Sequence, residues 1–160
     1  MGYTTNFTGK FKLNRKLREA DAQFLRDLAH TRRMKRKGLH AKYGIDGEFY
    51  MGAGTADRAM GQDDNFGVVD ANKPPSTQPG LWCQWVPTED DKGIEWDGNE
   101  KFYDYVEWIT YIIDKILAPR GYTLNGEVTW QGEDSDDQGM IVVKNNKVST
   151  KHAVISYEDD

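Results

Sequence analysis

Between positions 102 and 116 the residues Phe102, Tyr105, Val106, Ile109, Ile112, Ile113 and Ile116 recur at spacings of three and four. That period puts every one of them on one side of an α-helix, so the segment predicts a helix with a broad apolar stripe. Pro119 and Gly121 end it. Asp97 followed by Glu100 reads as a capping box, with Asp97 as the N-cap of this helix. A stripe of this width must be buried against another layer, and the rest of the chain is read for what supplies that layer.

The partners read mainly as strands. Over 3–13, Tyr3, Thr5, Phe7, Phe11 and Leu13 alternate with Thr4, Asn6, Thr8, Lys10 and Lys12, the period of a half-buried strand, with Gly9 as a candidate bulge. A shorter helix follows over 18–30, with Leu17, Phe24, Leu25 and Leu28 on one stripe, and the cations of 31–38 suit its C-terminal end. Strands are expected at 45–51, 81–86 and 94–96, the last two as a hairpin. Three more are expected over 121–131, 139–144 and 152–157, the last after an Asn145-Asn146 turn. The segment 52–80 has no period and holds three prolines within 74–79, so it reads as a long, ordered loop. Two helices on a mainly antiparallel sheet make an α+β two-layer sandwich, expected to form a single domain over 1–160.

Composition narrows the function. Of 160 residues 21 are Lys or Arg and 26 Asp or Glu, a net charge of −5. Residues 1–43 hold 12 basic and 3 acidic side chains, a local +9, whereas the remainder carries −14. Such a remainder repels a long polyanion, so a compact phosphate ligand fits better than duplex nucleic acid. No run is long enough to cross a membrane and no apolar signal segment opens the chain, so an intracellular protein is expected. Asn6 stands where a myristoylation pattern needs Ser or Thr. Cys83 is the sole cysteine, and His30, His40 and His152 lack metal-ligand spacing. No cofactor or metal is therefore expected.

Three groups of residues bear on chemistry. Arg32 and Arg33 open the basic run 32–37, and guanidinium forks grip phosphate in a bidentate way; a solvated helix end is the plainer alternative. Trp82 and Trp85, three apart on a strand, point to opposite faces, so one can fill the core while the other stacks on a base; both can equally be core. Trp130 shares that ambiguity, and Glu127 on the same strand is a candidate ligand acceptor or general base. The turn 133–137 partly mimics a calcium loop. Asn145 falls where a bidentate Glu is needed, which leaves a solvated hairpin turn as the better reading.

The strings FTGKF (7–11), TRRM (31–34), PPSTQPGLWCQW (74–85), IEWDGNEKFY (94–103) and GEVTWQGEDSDDQGMIVV (126–143) resemble a family of small uncharacterised proteins of phages, prophages and bacteria. The resemblance implies a phage-type accessory protein in the bacterial cytoplasm, with an anti-defence role as one expectation. From the residues, the leading expectation is binding of a small anionic, nucleotide-like ligand without turnover by Arg32, Arg33, Trp82 or Trp85, Glu127 and Trp130. The alternatives are a module that binds a basic host protein through its acidic surface, and a carboxylate-dependent enzyme acting on nucleotides.

Overall fold

A computed structural model describes residues 2–51 and 67–160. Its main sheet has six strands, all antiparallel, in the order β4-β5-β1-β6-β7-β8. The strands are β1 (Asn6–Leu13), β4 (Trp85–Pro87), β5 (Gly93–Trp96), β6 (Leu124–Gln131), β7 (Gln138–Lys144) and β8 (Lys147–His152). Two short strands, β2 (Lys35–Arg36) and β3 (Val68–Asp70), pair separately. Helices α1 (Glu19–Ala29) and α2 (Tyr105–Ile112) supply the second layer, and α2 continues through a widened turn, Ile113–Leu117, into a tight one, Ala118–Arg120. The expected α+β two-layer architecture is the observed one.

The alternation along β1 and β6 explains the layering. Phe7, Phe11, Leu124, Val128 and Trp130 are buried on one face, with Ile141, Val143 and Ile94 beside them on neighbouring strands. The helices cover that face with Ala22, Leu25, Leu28, Trp108, Ile109, Ile112 and Ile116. Phe7 is the hub of an aromatic cluster, with ring centroids 4.9 Å from Tyr105, 5.3 Å from Trp96 and 5.4 Å from Trp85. Edge-on contacts of this kind add to the area that the rings bury. The opposite face, with Thr8, Lys10, Glu127 and Thr129, faces solvent, which antiparallel sheets permit. Gly9 is no bulge: it stays in register with Val128 at φ 106°, and a Cβ there would lie 2.8 Å from the Glu127 carbonyl.

Five expected elements are corrected. Residues 45–51 are no strand: Ile45–Gly47 form a 3-10 turn, with Gly44, Asp46 and Gly47 at positive φ, and a further turn follows. In place of the strand expected at 81–86, the strand is only Trp85–Pro87: the Asp97 amide donating to the Gln84 carbonyl (2.9 Å) is the last bond in its register with β5, and Leu81 accepts from the Arg33 amide (2.7 Å) outside the sheet. The capping box fails: Asp97 bonds the Asn99 amide in a local turn, and left-handed Lys101 and Asp104 delay the helix to Tyr105. The last strand starts directly after Asn145-Asn146, both at positive φ, as a two-residue hairpin requires, so residues 153–157 lie beyond it and are exposed. The basic run leaves the helix altogether and forms an extended strap, with Arg33, Met34 and Arg36 buried. Of the expected loop 52–80, residues 52–66 lie outside the described residues.

Folding interleaves the two charge halves at several points. Arg26 pairs with Asp91, while Arg120 reaches back to Asp21 at 3.2 Å. Arg15 stacks 4.0 Å over the Tyr122 ring. Among the described residues no helix is long and apolar enough to cross a membrane.

Candidate functional site

Among the described residues a cleft of about 1010 Å³ lies between two irregular segments. One wall is the proline-rich loop with Pro74, Pro79, Gly80, Leu81 and Trp82; the other is the segment where the capping box was expected, with Gly98, Asn99, Glu100, Lys101, Tyr103 and Asp104. Gln84 lies between them. The volume is at the upper end of the range for small-molecule sites.

Each wall is anchored from behind. Gln78 is buried and pins the proline loop: its amide nitrogen donates to the Glu48 carbonyl and to Tyr111 Oη (3.2 Å), and its Oε1 accepts from Arg33 Nε (3.0 Å). Tyr111 Oη in turn donates to Glu48 Oε1 at 2.9 Å. The facing wall is held by Gln84, whose Nε2 donates to the Glu100 carbonyl (2.8 Å) and whose Oε1 accepts from Trp96 Nε1 (3.0 Å). Tyr103 is half exposed, and its hydroxyl accepts from the Tyr3 amide at 3.0 Å. The cleft is thus built on loops fixed by buried side-chain amides, a common way to hold a binding surface on a rigid scaffold.

The arginine pair divides. Arg33 is 2% exposed, and all three guanidinium nitrogens are engaged: Nε with Gln78, Nη1 with the Tyr50 carbonyl (2.8 Å), Nη2 with the Glu48 carbonyl. Burial draws its pKa down to about 10, so the group is charged at neutral pH, and the hydrogen bonds to carbonyl oxygens accommodate that charge. Tyr111, desolvated and beside Glu48, is pushed far above the usual phenol range. Arg32 is partly exposed and donates to the Ala71 carbonyl (2.9 Å) and Asn72 Oδ1 (3.3 Å), which fixes the turn ahead of the proline loop. Neither arginine lines the cleft; among the described residues its cation is Lys101, alongside the carboxylates of Glu100 and Asp104. Burial, with Glu107 nearby, raises the Asp104 carboxyl above its ordinary pKa.

The tryptophans also divide. Trp82 lines the cleft, whereas Trp85 is buried and donates from Nε1 to the Tyr105 carbonyl (2.9 Å). Trp130 is buried, with Nε1 donating to Asp137 Oδ1 at 2.9 Å. It borders a shallower depression of about 440 Å³ with Lys151 and His152. Glu127 is exposed on the solvated sheet face, in register with Lys10. The turn 133–137 is tied to the N-terminal segment: Asp137 Oδ2 accepts from Tyr3 Oη (2.7 Å) and Glu133 from the Thr4 amide. Among the described residues no group of three His, Cys, Asp or Glu side chains is placed to hold a metal ion.

Glu100, Lys101, Tyr103 and Asp104 escaped the sequence reading because they fall in what looked like a helix start. The available signal was Gly98 between Asp97 and Asn99, which favours a local turn over a helix entry. Comparisons with protein-family models, with curated proteins and with solved structures find no match to this chain.

Proposed function

We propose that this chain is a non-catalytic binding protein for a small, planar, nucleotide-like ligand carrying one anionic group, and that the cleft beside Trp82 is its site. The observation that carries the reading is the joint presence of Trp82 and Tyr103 on the lining of a cleft of nucleotide size. An indole or phenol face stacks on a base irrespective of its identity. Lys101 supplies the cation for one phosphate, while Glu100 and Asp104 disfavour a di- or triphosphate by like-charge repulsion. Arg32 and Arg33 contribute by holding the walls, Arg32 through the turn at Ala71 and Arg33 through Gln78. A phage-type accessory role that sequesters a nucleotide signal belongs to the same proposal and rests on the sequence resemblance.

The test is a thermal-shift panel of nucleosides and nucleoside mono-, di- and triphosphates, with mass spectrometry of ligands that co-purify. Monophosphates are expected to raise the melting temperature most, with the shift lost in Trp82→Ala and reduced in Lys101→Ala; saturation to 100 Kd stabilises by about 2.7 kcal/mol. No shift with any member at millimolar concentration, and no co-purifying ligand, overturns the reading. A second reading draws on the segment beyond β8, where Val154, Ile155 and Tyr157 are exposed and precede Glu158, Asp159 and Asp160. An acidic surface with exposed apolar side chains suits a basic protein partner, and capture that fails as salt is raised would favour it.

A further inference from the structure

The main sheet ends in β8, which pairs with β7 on one side and with no described strand on the other. The Ala153 amide donates to the Gln138 carbonyl (3.0 Å), so Ala153 and Gln138 continue the β7–β8 ladder as a hydrogen-bonded pair. Such pairs alternate along an antiparallel ladder. Lys147, Ser149 and Lys151 therefore also bond inward, and the N–H and C=O groups of Val148, Thr150 and His152 point away from β7. Thr150 and His152 are exposed, as is every residue from Ala153 to Asp160. An open edge of this kind, free of proline, is a template for another strand. The chain that leaves it carries Val154 (90% exposed), Ile155 (59%) and Tyr157 (95%), followed by Glu158, Asp159 and Asp160. β8 itself carries the opposite charge, in Lys147 and Lys151.

We propose that this edge is a homodimer interface: two copies pair antiparallel over residues 147–159 about a two-fold axis at Ala153, and the segment after β8 of each copy lies along β8 of the other. The inference is independent of the cleft reading. Charge chooses both the occupant and the register. An axis at Lys151 sets two lysines directly opposite, which is destabilising. An axis at His152 faces two imidazoles and carries Glu158 past the end of the other copy's β8 at Lys147. At Ala153, Lys147 lies opposite Asp159 of the second copy, twice by symmetry, and the free groups of Val148, Thr150 and His152 meet those of Glu158, Ser156 and Val154. Side chains follow the same parity. Val148 packs toward the core and His152 against Trp130, so odd positions share the solvated face. There Ile155 meets Lys151 and Tyr157 meets Ser149, and the aliphatic stems of Lys147 and Lys151 cover the apolar groups. Lysines on an edge repel unrelated strands, and here the same lysines favour the acidic segment of a second copy.

The experiment is sedimentation equilibrium of the full chain from micromolar to millimolar concentration, at low and high salt. The expected result is a mass that doubles with concentration, at a lower concentration when salt is low. Thr150→Pro removes an N–H that points away from β7, so it should abolish the dimer and leave the circular dichroism of the single chain unchanged. Asp159→Lys and Lys147→Asp should each weaken the dimer about tenfold, and the two together should restore it. The axis is read by oxidation. Ala153 forms a non-hydrogen-bonded pair with its own copy, Cα atoms about 4.5 Å apart, a distance that a disulfide spans. Ala153→Cys should therefore cross-link faster than Lys151→Cys, with the native Cys83 buried in both. A single-chain mass at every concentration overturns the proposal, including one in which the Val148, Thr150 and His152 amides resist exchange because the segment folds back on its own β8. A dimer that survives Thr150→Pro, or equal cross-linking at 151 and 153, overturns it as well.

Discussion

Replacing Arg33 with Met separates a wall-holding role from a ligand-gripping one. Met keeps most of the aliphatic stem and removes the guanidinium, so Gln78 Oε1 and the Tyr50 carbonyl lose their Arg33 donors, while the Glu48 carbonyl keeps the one from Gln78. A buried acceptor left unsatisfied costs about 1–3 kcal/mol. Loss of the buried Gln78 partner, with a smaller loss at the part-buried Tyr50 carbonyl and an offset from removal of a desolvated charge, gives an expected destabilisation of about 2 kcal/mol. Urea unfolding followed by tryptophan fluorescence should show the midpoint falling by about 1 M with an unchanged slope. Arg32→Met, on a partly exposed side chain that bonds the surface turn at Ala71 and Asn72, should change stability by less than about 1 kcal/mol. A loss at Arg33 below about 0.5 kcal/mol, or an equal loss at Arg32, would refute the assignment of Arg33 to the buried network.

Two further outcomes follow from burial. Tyr105, with its pKa pushed up to about 12 first by desolvation and then by Asp137 and Glu107, should ionise late in an ultraviolet titration. Tyr105→Phe should delete that step, whereas a single tyrosine transition near the ordinary value would contradict the burial described. Because its folded pKa lies above the unfolded value of 10.0, its stabilising contribution is whole below pH 10 and is lost as pH rises towards 12. Arg33, with a lowered folded pKa, changes in the opposite sense over the range from about 10 to 12.5. Cys83, fully buried, should resist a bulky thiol reagent in the native protein and react once per chain in denaturant; rapid native labelling would show that the core opens there.

What was legible in the sequence is what periodicity encodes. The stripe from Phe102 to Ile116 and the alternation of Phe7, Phe11, Val128 and Trp130 depend on side chains repeating across an element, and burial follows them closely. The site was legible only in part. Trp82 and the proline loop were singled out from residue type and lack of period, and both line the cleft. The opposite wall was marked only by the turn signal at Gly98, because the positive φ at Lys101 and Asp104 that delays the helix follows from tertiary context and not from residue type alone. The separation of Arg33 from Arg32 depends on a tertiary partner, Gln78, 45 positions away, which pulls one of two adjacent identical side chains inward. Likewise the apolar run after His152 reads as a strand, yet the hairpin turn at Asn145-Asn146 uses up the pairing before that run begins.

The place of β1 in the sheet has a consequence for how the chain matures. It precedes the other described strands in the chain, yet it lies at the centre, with Phe11 opposite Ile94 and Phe7 opposite Trp130. At 5–20 residues per second a ribosome needs roughly 6–25 s to deliver the residues that separate β1 from its β6 partner. Until β5 emerges both edges of that nascent strand are unpaired, and until β6 emerges one edge stays open, a template for wrong pairings and a target for chaperones. Closure of the sheet is a late, long-range event, so a chain released before β6 emerges holds the helices and the cleft loops but lacks the strand that completes the layer beneath them.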